Sequence, residues 1–201
     1  MSNKAKIAVL VSGGGTNLQA LIDAEKAGII ESGKISLVIS NKADAYALER
    51  ARNADIETAV VLRKDYADSL AFEEAIKALL TEKGIDVIVL AGFMSILSEN
   101  FTGAYPERII NVHPSLIPSF CGKGFYGLRV HEAALEYGVK VTGATVHFVN
   151  EITDGGRIIL QKAVEIKDGD TPEILQRRVM EEAEWIILPR AVEMVLSGQI
   201  K

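Results

Sequence analysis

The chain has one cysteine, Cys121, in 201 residues, which excludes an intramolecular disulfide framework. With only three histidines beside it, the sequence offers little for a structural zinc site. A basic excess is also missing: 22 Lys and Arg stand against 27 Asp and Glu, a net charge of −5. That balance argues against a general nucleic-acid binder. No apolar run is long enough for a membrane span; the longest, Val87 to Leu97, contains Gly92 and Ser95. The start, MSNKAKIAVLVSGGG, is a short basic lead and a brief apolar run, without a signal-peptide core or cleavage site. At 48% hydrophobic and 24% charged residues the composition is that of a globular chain. These absences predict a cytoplasmic protein with no membrane or nucleic-acid partner. Residues 1–201 are expected to form a single domain whose core needs neither metal nor disulfide.

What is present alternates. Short β-rich runs at Ile7–Val11, Ile35–Ile39, Glu57–Leu62, Val87–Ala91 and Arg108–His113 are separated by helical patterns at Asn17–Ala27, Ala45–Asn53, Ala67–Lys83 and Leu97–Ala104. This order predicts a parallel sheet with right-handed crossovers. The fully apolar Val87–Ala91 is the pattern of a strand covered on both faces. The second half differs. Ser115–Gly127 is irregular, Val130–Tyr137 helical, and Val139–Val149 and Arg157–Ile166 are strands on either side of NEITDGG. That spacing suits an antiparallel or long-looped pair. A last helix is expected from Asp170 to about Leu196, capped by Thr171 or Asp170, with Pro189 kinking or breaking it. The fold class is therefore α/β: a Rossmann-like open, mostly parallel sheet with helices on both faces and an antiparallel C-terminal extension.

Such sheets bind ligands at the carboxyl ends of their strands, and four features fall there. Ser12-Gly13-Gly14-Gly15-Thr16-Asn17 stands between the first strand and first helix. It reads either as a phosphate cradle at a helix amino terminus or as a tight turn with a cap. It is not the dinucleotide fingerprint, since Leu18 replaces the third glycine and Asn41 and Lys42 replace the ribose-binding acid. Asn111 and His113 are two residues apart on a strand that Pro114 ends, so they share a face. The pair reads either as an amide that steadies an oxyanion beside an imidazole that moves a proton, or as a strand histidine with a structural part. Asp154-Gly155-Gly156 is either a plain turn or a carboxylate that orients a histidine and raises its pKa. Ala91–Leu97 is either a wall for a flat ligand or an ordinary strand exit packed in the core.

Taken together, VLVSGGGTNLQALI, SNKADAYALERA, VIVLAGFMSILS, IINVHPSLIPSF and TGATVHFVNEITDGGRIILQKAV resemble the folate-dependent phosphoribosylglycinamide formyltransferases from about Lys6 to Leu196. The resemblance implies the formyltransferase fold and a one-carbon transferase of de novo purine synthesis. It would move the formyl group of 10-formyltetrahydrofolate to the amine of phosphoribosylglycinamide, as a monomer or homodimer and without a metal. Carried over, Asn111, His113 and Asp154 match the family's catalytic trio. Asn111 would hold the oxyanion, His113 would donate the proton, and Asp154 would support His113 and a relaying water. Gly15, Thr16 and Asn17 match the phosphate loop, and Glu184 a substrate-binding glutamate. Met94, Ser95, Ile96, Leu97, Asn150, Glu151, Ile152, Thr153 and Asp154 match the folate pocket, to which Asn111 also belongs. His147 is expected to play a supporting part, and His131 reads as a helix-surface residue.

Three departures stand out. A folate-contacting basic residue near Ser69 is missing, with Asp68 and Glu73 as nearest charges; SFCGKGFYG lengthens the loop after Pro118; and MEEAEW carries one extra residue. Counting back from Pro189 places Glu184 in the glutamate's position, while counting from Val179 places Ala183 there. Methionyl-tRNA formyltransferase and formyltetrahydrofolate hydrolase share the Asn-x-His…Asp core but add a tRNA or a regulatory domain, for which this chain is expected to have no room. A nucleotide-binding sensor is the non-catalytic alternative, and it would not need the trio.

Overall fold

The structure is a computed structural model and describes residues 4–200. Met1–Asn3 of the basic lead and Lys201 of the expected 1–201 domain lie outside the described residues. The elements run β1 (Ala5–Val11), α1 (Thr16–Lys26), β2 (Gly33–Ser40), α2 (Tyr46–Asn53), β3 (Glu57–Val60), α3 (Ser69–Lys83) and β4 (Val87–Leu90). There follow α4 (Glu99–Gly103), β5 (Ile109–His113), α5 (Leu128–Tyr137), β6 (Val141–Phe148), β7 (Ile158–Glu165), α6 (Pro172–Val179) and α7 (Trp185–Leu196). Seven strands form one sheet in the order β3-β2-β1-β4-β5-β6-β7. The pairs from β3 to β5 are parallel, and β5–β6 and β6–β7 are antiparallel.

Two apolar layers hold this sheet. Even-numbered Ala8 and Leu10 of β1 and Ile88 and Leu90 of β4 pack with Phe72, Ile76 and Leu80 of α3 and Phe101 of α4. Odd-numbered Ile7, Val9 and Val11 face the other way, onto Leu18, Leu21 and Ile22 of α1 and Leu188, Ala191 and Val192 of α7. The period of two along each strand thus feeds two helix layers, as expected for a doubly covered sheet. The α3 and α4 layer extends to Ile109 at the start of β5 and includes no residue of β6. On that side the face of β5 and β6 is left for loops to cover, and polar side chains occupy it.

The last helix departs from expectation. Thr171 is the cap, accepting the Ile174 N–H at 3.3 Å. Asp170 instead takes both Arg178 amino groups at 2.5 and 2.6 Å, which holds its carboxyl below the usual range. Pro189 does not break the helix; α7 runs through it from Trp185 to Leu196. The irregularity lies upstream, as a π turn over Met180–Glu184. A proline removes one bond to the fourth residue before it, here Trp185, at the junction where the wide turn has already loosened the ladder. The turn falls within MEEAEW, the segment expected to carry one extra residue.

Leu10 is fully buried between the strands and α3. Leu10→Ala should cost about 2–5 kcal/mol of stability, read as a lower urea midpoint at unchanged slope. Val60, 42% exposed on the edge strand, should lose no more than about 0.5 kcal/mol as alanine.

Candidate active site

The antiparallel register of β5 and β6 sets Asn111 opposite His147 and His113 opposite Thr145, all on the face that the helices leave open. His147 is buried, and its Nδ1–H donates to the Phe148 carbonyl at 2.8 Å. That bond leaves Nε2 as an acceptor, and Asn111 Nδ2 lies 3.2 Å from it. Burial pushes the His147 pKa down, so the ring stays neutral and keeps accepting. One N–H of Asn111 is therefore spent on orientation and the other remains for a ligand.

His113 is also buried, with Nε2 donating to the Phe120 carbonyl at 2.9 Å and Nδ1 3.6 Å from Asp154 Oδ2. Asp154 Oδ1 lies 3.8 Å from His147 Nε2, and Oδ2 accepts the Gly122 N–H at 2.8 Å. One carboxylate thus touches both histidines and the lengthened loop. Asp154 sits at φ 56°, a left-handed conformation that Asp tolerates better than most residues. Two residues on, the chain passes so close to β6 that a Cβ on Gly156 would lie 1.7 Å from the Phe148 carbonyl oxygen. The glycines of this turn bring the aspartate back over the sheet.

Across the sheet, Gly15 caps α1 in the left-handed region at φ 73°, and among the described residues no side chain caps the helix. A Cβ there would lie 2.6 Å from that of Ala47. The Gly13 carbonyl is taken by the Ala47 N–H at 3.0 Å and the Gly14 carbonyl by Arg50 Nε at 2.8 Å. With these carbonyls turned to α2, the loop presents the first-turn amides of Thr16 and Asn17 at the amino terminus of α1, the kind of helix end that attracts anions. Asn17 Nδ2 donates to Glu184 Oε2 at 2.7 Å. Glu184 is 6% exposed, and burial pushes its pKa up to about 7 against the pull of Asn17. The π turn brings this glutamate to the glycine loop.

The remaining expected residues divide. Met94 and Ile96 are 55% and 76% exposed after β4, and Ile152 is 60% exposed before Asp154, apolar surface of the kind that meets a flat ligand. Leu97 instead packs into the α3–α4 layer. Ser95 Oγ accepts from Asn41, and Asn150 Oδ1 caps its own turn by accepting the Ile152 N–H at 3.0 Å. Glu151 and Thr153 are exposed. In the lengthened loop, Cys121 is half-buried beside Asp154, and burial raises its thiol pKa.

His131 corrects the surface reading. It is fully buried, neither ring nitrogen has a partner among the described residues, and burial with the charge of His113 lowers its pKa to about 4. Its spacing of three from buried Ala134 is the signal that the sequence offers. Thr145 carries no such signal, yet it belongs to the site. Its hydroxyl donates to the Ser115 carbonyl at 2.7 Å and accepts the Ile117 N–H at 3.0 Å, anchoring the loop after His113.

Among the described residues no group of three or more His, Cys, Asp or Glu is arranged to hold a metal, and no helix is long and apolar enough to cross a membrane.

Known proteins share this architecture. The formyl transferase family model matches residues 5–192. The phosphoribosylglycinamide formyltransferase of Haemophilus influenzae is 45% identical over 98% of this chain and 89% of its own length. The human trifunctional purine biosynthetic protein adenosine-3 is 48% identical over 98% of this chain, which spans only 19% of that protein. The crystal structure of glycinamide ribonucleotide transformylase 1 from Symbiobacterium toebii superposes with a TM-score of 0.93 at 43% identity, covering 100% of this chain and 92% of that one. The chain belongs to the formyl transferase family.

The Glu184 carboxyl gives a signed pH dependence. The folded protein keeps this proton up to about pH 7, whereas the unfolded chain releases it near the ordinary value of 4.5. Stability from this group is therefore complete below pH 4.5 and falls as pH rises through 7, by on the order of 3 kcal/mol. In urea titrations, Glu184→Gln should gain on the wild type by about that much between pH 4.5 and 7.5. A difference independent of pH would count against the buried acid.

Proposed function

We propose that the chain catalyses transfer of the formyl group from 10-formyltetrahydrofolate to the amine of phosphoribosylglycinamide, in de novo purine synthesis, as a cytoplasmic monomer or homodimer. The observation that carries this reading is the Asn111–His113–Asp154 arrangement, facing loops rather than a helix layer and fixed from behind by His147. The acceptor's phosphate would lie on the free amides of Thr16 and Asn17, with Glu184 beside it.

The amine attacks the formyl carbon, a C–N bond forms, and the carbonyl oxygen becomes an oxyanion. The free N–H of Asn111 would meet that oxygen, already oriented and so with no reorganisation to undergo. The intermediate collapses by breaking the bond to the folate nitrogen, which takes a proton from His113, while the attacking nitrogen gives up its own to water. In a protonated His113 ring the Nδ1–H would face Asp154 while Nε2–H faces the departing nitrogen. Phe120 holds that Nε2 position in this conformation, so its carbonyl must yield to the donor.

The direct test monitors formyl loss with each substrate omitted in turn. Consumption only with both present is the expected result; consumption without the ribonucleotide would make the protein a hydrolase. His113→Ala and Asp154→Asn should each lower turnover by about 10²–10⁴, without adding in the double variant; near-normal activity in either would overturn the assignment. Gly15→Val, which pushes a side chain into Ala47, should weaken acceptor binding far more than folate binding; equal losses would argue against the phosphate cradle.

A further inference from the structure

Two side-chain bonds cross from the strand ends beside the glycine loop to the segment after β4. The Met94 N–H donates to Ser12 Oγ at 2.8 Å, and Asn41 Nδ2 donates to Ser95 Oγ at 2.9 Å. Ser12 comes directly after β1 and Asn41 directly after β2, while β4 pairs with the opposite side of β1. The Asn41 side chain therefore reaches over the end of β1, where the glycine loop begins. The backbone seats it there, since the Asn41 N–H donates to the Val11 carbonyl at 3.4 Å. The other end of the same amide is unused. Asn41 Oδ1 is buried and has no partner among the described residues, an uncommon and costly state for an amide oxygen.

We propose that the Asn41 amide is a connector between the two substrate sites. Its Oδ1 accepts a hydrogen bond from an N–H or O–H group of the acceptor held at the glycine loop. Its Nδ2, through Ser95, holds the segment whose exposed Met94 and Ile96 flank the donor. Filling either site then removes freedom that the other ligand must otherwise remove, so the two bind with positive, reciprocal coupling. Asn41 is on this account a positioning residue, with Ser12 as a second tie on the same segment. The inference rests on the two-substrate reading of the site.

Calorimetric titration tests it without turnover, using phosphoribosylglycinamide and tetrahydrofolate, which has no formyl group to transfer. Each ligand is titrated alone and in the presence of the other at saturation. The wild type should show at least about fivefold mutual tightening. Asn41→Ala and Ser95→Ala should each reduce this to less than about twofold, the double variant should lose no more, and Ser95→Thr, which keeps the hydroxyl, should retain it. A purely structural role would instead lower both affinities together with the melting temperature and leave the coupling intact, which overturns the proposal. Independent binding of the two ligands to the wild type sinks the connector alone. If neither ligand binds, the two-substrate reading falls and the connector with it.

Discussion

The register between β5 and β6 is the constraint on which the site depends. It fixes Asn111 against His147 across a strand pair, so an amide that could rotate freely is held by a neutral imidazole whose own tautomer a backbone carbonyl decides. A slip of one residue would turn Thr145 and His147 of β6 into the opposite layer and leave Asn111 and His113 without their partners. The reversal from parallel to antiparallel pairing at β5 also explains why these residues can be polar. The α3–α4 layer ends at Ile109, and a turn and a loop, rather than a third helix, cover the rest of that face.

The two halves of the site use opposite electrostatic devices. At the glycine loop, carbonyls are drawn away by Arg50 and Ala47, so the helix end presents donors. Beside it stands a buried acid that is half-ionised near neutral pH. At β5, by contrast, a carboxylate is shared between two histidines and a loop amide. The first thus presents backbone donors at a helix end, and the second gathers titratable side chains over the open face of the sheet.

Much of this is legible in the sequence. Alternating strand and helix patterns, the antiparallel late pair, the glycine loop and the same-face Asn111 and His113 all arise from short-range periodicity and turn chemistry, which tertiary contacts here reinforce. The features that escape depend on backbone groups or on distant partners. The Phe120 carbonyl on His113 and the Gly122 amide on Asp154 have no side-chain signature. Thr145 reads as one β-branched residue among several, and nothing local reveals that it anchors the loop thirty residues before it. Pro189 misleads because the rule that proline breaks a helix holds for regular helices, and this one adjoins an irregular turn. His131 is misplaced when its polarity is weighed without its phase on the helix.

The π turn at Met180–Glu184 also separates two helices that are anchored independently. Arg178 ties α6 to Asp170, and Glu193 ties α7 to the Glu31–Ser32 turn with three hydrogen bonds. A length change between these anchors is taken up in the winding of one turn and moves neither end. Positions on either side of the turn are therefore counted inward from each anchor rather than straight through the helix.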